Sequence, residues 1–335
     1  MSRRADIIAV SVTVILIIGA AVSILLTARP EVKHKTLGEH LECVIQTGSY
    51  NESDGLIAGL NYFLLNEYAE YCGKSVRITL SDTPGILDSL TSGVYGIAVV
   101  PSDGLSPDEK EVIFLDSADS ICRWAVDRSY RHDAANIREW LDEWMNDEDN
   151  AAAVNRFLCT YDPYRKRKNS SYLSPYDEII RKYAGSIGWD WRLLAAVIYQ
   201  ESHFRIDLKS RRGALGLMQM MPSTAKHLDV DDLINPEESI RTGSRYLKQI
   251  SRNYKDIEDQ QERYKFTLAA YNAGTGRIQD CINYALHKGV DPSKWENIVG
   301  IIPDMREEGM FKGVETISYV ESVLGIYNEF VRICP

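Results

Sequence analysis

A glutamate stands where a core helix calls for an apolar residue. In the stretch DWRLLAAVIYQES (190–202), Asp190 is of the type that caps a helix by accepting the free N–H groups of its first turn. Leu194, Val197 and Ile198 then fall at i, i+3 and i+4, the stripe of a core-facing helix, and the i+7 position is Glu201. A carboxyl desolvated among apolar neighbours is destabilised as an anion and keeps its proton to higher pH. That is what a general acid working near neutrality needs. A buried structural glutamate, tied to a helix end or an arginine, fits the spacing equally well. Downstream, Gly213 and Gly216 punctuate a polar, basic loop before Leu217, Met218 and Gln219. Glycines so placed let backbone pass close to another segment or to a ligand.

Taken together, ESHFRIDLKSRRGALGLMQMMPSTA resembles the signature of the lytic transglycosylases of the Slt type, the goose-lysozyme-like enzymes that cleave peptidoglycan strands. Glu201, Ser202, Phe204, Ser210, Gly213, Ala214, Gly216, Leu217, Met218 and Gln219 stand in register with that pattern, while Ile206 and Leu208 replace its usual Pro and Ala. Two later segments are similar to family elements: AYNAG, with Tyr271 and Asn272, and ETISYV, with Glu315 and Tyr319 four apart on one helix face. The resemblance implies Glu201 as the catalytic residue. It implies Ser202, Met218, Gln219, Tyr271, Asn272 and Tyr319 as substrate contacts, with Asn272 alternatively a helix C-cap and Glu315 structural. Gly243 and Tyr246 read as core packing. The implied reaction uses one carboxyl as acid and then base, with no water or cofactor consumed. A goose-type lysozyme, which would hydrolyse, and a glycan-binding scaffold with a silent site are the alternatives.

Around this signature, 335 residues suggest two domains plus extras. A net charge of −10 and the lack of a basic stripe with interleaved aromatics argue against a nucleic-acid partner. Arg3 and Arg4 precede an uncharged run from Ile7 to Leu26, long enough at about 1.5 Å per residue to cross a bilayer. Residues 1–30 are therefore expected to be an uncleaved signal anchor, holding the bulk of the chain in the periplasm of a bacterial cell envelope. The six cysteines and six histidines are scattered without metal-ligand spacing, so no metal site is inferred, and any disulfide pairing stays open.

Residues 36–150 read as a small α/β unit. LECVIQTG, SVRITL and YGIAVVP are strand-like, with helical GLIAGLNYFLLNEYAEYCG and TPGILDSLTSG between them, an order that implies parallel strands. ICRWAVDR reads as a return strand and HDAANIREWLDEWMND as a closing helix. The layout resembles one lobe of a periplasmic solute-binding protein. Only about twenty residues separate Pro101 from Ile121, where that family inserts a second lobe. Lytic transglycosylases of the F type join such a module to an Slt domain, and the chain looks like a shortened member. A single lobe is not expected to hold a small solute tightly, so the module is expected to pack on the catalytic domain or on a cell-wall protein partner. Residues 151–174, with the run YRKRKNSSYLS, read as a linker. Residues 175–335 form the helical domain, its first helix capped by Ser174 and closed by Gly185. The expected class is α+β multidomain: an N-terminal transmembrane helix, a solute-binding-like lobe and an all-α lysozyme-like domain.

Overall fold

The computed structural model describes residues 35–47, 56–103, 105, 110–163 and 172–335. The apolar run Ile7–Leu26 and most of the basic segment lie outside them. Among the described residues no helix is long and apolar enough to cross a membrane.

The first unit is a mixed sheet covered on both faces. Strand β1 (His40–Gln46) leads into helix α1 (Ile57–Tyr71), β2 (Ser75–Ser81), helix α2 (Ile86–Thr91) and β3 (Ile97–Pro101). A hairpin of β4 (Val112–Asp116) and β5 (Cys122–Asp127) follows, then helix α3 (Arg131–Met145). The strand order is β2-β1-β3-β5-β4. β1 pairs in parallel with β2 and β3, and β5 returns antiparallel between β3 and β4. The period-two alternation of side chains sorts the strands onto two faces. Cys43, Ile45, Ile97, Val99, Trp124 and Val126 share a cluster with α1 and α3, while Val44, Ala98, Val100 and Ala125 meet Ile86 and Leu90 of α2. The expected βαβαβ order and return strand are present. β4 is an addition: VIFLD, in the short segment read as an empty connection, forms the far edge of the sheet.

At the β4–β5 turn a polar knot is buried beneath α1. Asp119 accepts hydrogen bonds from Asn61 Nδ2 (3.0 Å), Ser117 Oγ (3.0 Å) and the backbone N–H groups of Ile121 (2.8 Å) and Cys122 (2.6 Å). Trp124 Nε1 donates to Asn61 Oδ1 at 2.8 Å.

The segment 151–174 is not simply a linker. Helix α4 (Glu148–Leu158) begins ahead of it, capped by Asp147, which accepts from Asp149 N–H, and buries Val154 and Phe157. Phe157 stacks on Phe63 of α1 with centroids 5.6 Å apart and meets Tyr176 edge-on at 6.0 Å. An aromatic side chain buried this way contributes about 1.5–3 kcal/mol, enough to make the helix part of the fold. Tyr176 leads directly into the second unit, so one apolar cluster runs through both. All six cysteines are thiols.

The second unit is helical: α5 (Asp177–Ile187), α6 (Trp191–Ser202), α7 (Pro222–His227), α8 (Pro236–Ser251), α9 (Gln260–Ala273), α10 (Thr275–His287), α11 (Trp295–Glu307) and α12 (Val314–Ile333). The N-cap of α5 is Tyr176, and Ser174, expected to cap, stands two residues ahead of it. The Ser174 Oγ accepts from Tyr176 N–H while Asp177 accepts from Ser174 N–H, a reciprocal pair of the capping-box kind. Gly185 lies inside α5, and the left-handed residue that ends the helix is Gly188. Six consecutive residues of α6, Leu193 to Ile198, are completely buried. A helix apolar on all sides belongs in the middle of a bundle, and α6 packs between α5 and α12.

Candidate active site

Asp190 caps α6 as its type predicts, its carboxylate accepting from Arg192 N–H at 2.8 Å. About three turns of helix, buried from Leu193 to Ile198, then bring Glu201 out at the C-terminal end, half-buried. Burial pushes its pKa up to about 7, and the hydroxyl of Tyr319 on α12, donating to Oε1 at 2.6 Å, pulls the other way. No second carboxylate contributes to that shift among the described residues. Asp207, the nearest alternative in sequence, is bound to Arg205 at 2.8 Å with its side chain only 6% exposed. Burial, reinforced by the charge of Glu201, holds the hydroxyls of Tyr271 and Tyr319 well above the ordinary tyrosine pKa. Both therefore stay protonated and donate.

The chain turns sharply after Glu201. His203 (φ 53°) and Phe204 (φ 63°) are both left-handed, a costly pair for side-chain-bearing residues, and the fully buried Phe204 ring is clamped against Tyr199 and Phe330. The turn feeds the glycine-punctuated loop, where Leu215 and Met220 exchange backbone hydrogen bonds at 3.1 and 3.2 Å. Gly216 has φ +70°, and a Cβ there would stand 2.1 Å from the Leu233 carbonyl oxygen, so no other residue fits.

Of the expected site residues, the structure brings Glu201 and Tyr319 into direct contact and engages Ser202, Met218, Gln219 and Tyr271 in holding the signature loop. Ser202 is completely buried, its Oγ 2.9 Å from the Leu217 carbonyl and 3.1 Å from that of Ile198, so it ties the loop to α6 and cannot reach a ligand. Met218 is also completely buried, and Gly243 is needed to make room for it: a Cβ at 243 would lie 2.5 Å from the Met218 methyl. The packing expected of Gly243 is thus against the signature loop itself. Gln219 (φ 45°) turns its amide nitrogen inward to the carbonyls of Leu208 (2.8 Å) and Gly216 (3.0 Å). Tyr271 is half-buried and donates to the Met218 carbonyl at 2.7 Å, bracing the loop from α9. Asn272 is exposed. It is not the helix cap: α9 runs on to Ala273, and Gly274 (φ 92°, ψ 145°) is not in the left-handed helical region but breaks the chain straight into α10. Thr316, inside the ETISYV segment but given no role from sequence, donates to Asn272 Oδ1 at 3.0 Å.

The family model described as Transglycosylase SLT domain matches residues 178–292. A membrane-bound lytic murein transglycosylase F of Desulfosudis oleivorans is 32% identical over 220 residues, covering 61% of this chain and 48% of that protein. The protein of the same name from Marinobacter nauticus is 29% identical over 274 residues, covering 75% and 54%. Among solved structures, the 70 kDa soluble lytic transglycosylase of Escherichia coli is 27% identical, covers 48% of this chain and 25% of that one, and has a TM-score of 0.36. The chain spans about half the length of the curated relatives it matches. The helical unit, from α5 through α10, is the part of the chain that the transglycosylase SLT domain model matches.

Proposed function

We propose that this chain is a peptidoglycan lytic transglycosylase in which Glu201 is the only acid and base. The observation that carries the reading is a half-buried carboxyl poised near neutrality, held by one tyrosine hydroxyl, with no second carboxylate acting on it among the described residues. Hydrolytic glycosidases ordinarily use a pair, either to activate water or to form a covalent intermediate. With one carboxyl, a route that needs neither fits best. Protonated Glu201 gives its proton to the glycosidic oxygen between N-acetylmuramic acid and N-acetylglucosamine. The C1–O bond breaks, and the substrate's own 2-acetamido group stabilises C1. Glu201, now ionised, takes the proton of the C6 hydroxyl, whose oxygen closes on C1 to give a 1,6-anhydro ring. Tyr319 donates to the carboxylate in the intermediate stage and so steadies the form that acts as base.

The names of the relatives, which include "membrane-bound" and "murein", support placing the enzyme in a bacterial cell envelope, with the run Ile7–Leu26 as its anchor and the catalytic unit in the periplasm. The sheet unit fits a shortened solute-binding-like lobe that has become a packing partner. Both oxygens of Asp119, the buried carboxyl at the turn closing its sheet, are already engaged by internal donors, and α4 joins the unit to the SLT domain. Mass analysis of peptidoglycan digests tests the reaction. Anhydromuramic ends, lighter by one water than hydrolysed ends, are expected; reducing muramic ends would make the protein a lysozyme.

A further inference from the structure

Two cleft residues on different helices are held by hydroxyls from one face of a third. Tyr319 of α12 donates to Glu201 on α6, and Thr316, three residues earlier on α12, donates to Asn272 on α9. The first contact belongs to the proton chemistry. The second has no place in it. Thr316 is buried, 3% exposed, whereas Asn272 is exposed at the last turn of α9, next to Tyr271, whose hydroxyl feels the Glu201 charge.

A carboxamide has two nearly isosteric ends, and a surface asparagine can present either its oxygen or its NH2 group to a ligand. Here two features choose between them. The Thr316 hydroxyl lies 3.0 Å from Oδ1. It also sits in the first turn of a 20-residue helix whose N-cap, Gly313, has no side chain to satisfy the free N–H groups. The positive end of that helix favours an oxygen over an amino group beside it. Oδ1 is therefore held against α12, and the Nδ2 hydrogens, which no acceptor takes among the described residues, are presented outward.

We propose that Thr316 is a positioning residue that fixes Asn272 as a hydrogen-bond donor, so that the cleft selects a sugar substituent offering a carbonyl acceptor, the N-acetyl group, over one offering only a donor, the free amine. This rests on the glycan-cleaving reading above. An amine-bearing sugar brings an ammonium or N–H where Asn272 also brings N–H, leaving both unpaired, and unpaired polar groups are what make such sites discriminate.

The test uses the full chain with N-acetylated and chemically de-N-acetylated peptidoglycan oligosaccharides. In Thr316→Val, which keeps the shape but not the donor, KM for the N-acetylated glycan should rise about tenfold, the worth of one lost neutral hydrogen bond, while kcat falls by less. In binding affinity, where the acetamido group's part in the reaction does not enter, the preference over the de-N-acetylated glycan should collapse in the same variant, and Thr316→Ser should restore both. Asn272→Asp, an exposed change that leaves the fold alone, keeps an acceptor but no donor and should lose the preference as well. A Thr316→Val or Asn272→Asp protein that still binds the N-acetylated glycan more tightly, by the wild-type margin, or a Thr316→Ser protein as impaired as Thr316→Val, overturns the proposal. Repeating the comparison as binding affinity in Glu201→Gln separates it from the reaction itself. If the products prove to be hydrolysed ends, the transglycosylase reading fails, and the affinity preference still decides the role of Thr316.

Discussion

Two of the carboxyls that this chain withdraws from water are treated in opposite ways. Asp119, 8% exposed, accepts four hydrogen bonds from donors supplied by its own turn and by α1. Glu201 sits at the end of a completely buried helical segment and receives one, from Tyr319. Burial without compensating donors leaves a group able to exchange its proton, while burial with every lone pair engaged turns the group into a structural rivet. The sheet unit holds the rivet and the helical unit holds the carboxyl poised to titrate. The difference lies in the donor count, since both are carboxyls and both are withdrawn from solvent.

The comparison can be broken most directly at Glu201. Glu201→Gln is nearly isosteric and should fold normally, yet lose activity by about a thousandfold, within the range for removing a general acid. Turnover above a few per cent of wild type on purified peptidoglycan would remove Glu201 from the chemistry. At the other carboxyl the loss should fall on stability. Asp119→Ala leaves the N–H groups of Ile121 and Cys122 and the amide of Asn61 without their acceptor, and should cost about 3 kcal/mol in chemical denaturation. The folded fraction should turn over substrate at the wild-type rate, and a selective loss of activity would mean that the knot serves the site.

A smaller effect sharpens the contrast through pH. Glu201 binds its proton more tightly folded than unfolded, with a pKa raised from 4.5 to about 7. Its contribution to stability is therefore complete below pH 4.5 and is lost as pH rises through about 7. Glu201→Gln removes that penalty and should be more stable than wild type at pH 8 by roughly 2 kcal/mol, with the gap closing towards pH 4. Melting curves that run parallel across this window would show that the carboxyl is not desolvated. The smallest change is Tyr319→Phe. The tyrosine hydrogen bond lowers the Glu201 pKa, so its loss should move the alkaline limb of the pH–activity profile upward while turnover at the optimum falls about tenfold. An unmoved limb would mean that the 2.6 Å contact is not made in solution.

How much of this was legible in the sequence depended on whether a residue's task is local. Asp190 could be read as a cap and Glu201 as the odd residue on an apolar stripe, because both follow from helix geometry alone. The parallel strands were legible from their apolar runs and intervening helices. Ser202 and Met218 were misplaced for a different reason. A motif marks positions that matter without saying whether they touch the ligand or hold up what does, and here both serve the loop from behind. Thr316 went without a role because its partner, Asn272, is 44 residues away in the chain and meets it only through packing. Helix α4 was missed although its signal was present: Asp147 followed by two acidic residues and an alanine run is a helix start. The basic run after it drew the whole stretch into the reading of a linker. β4 is a five-residue edge strand with nothing before it but turn residues, too short for periodicity to declare.

The contact of Phe157 with Tyr176 has a consequence for the lifetime of the enzyme. With α4 packed against both the sheet unit and Tyr176, and one apolar cluster continuous through both, neither half should show an independent melting transition, and heating should release them together. Damage far from the cleft, at Trp124 or beneath α3, then lowers the population of working molecules without altering any one of them. A protease would then meet either a closed molecule or a wholly open one. The sheet thus sets how long each copy survives.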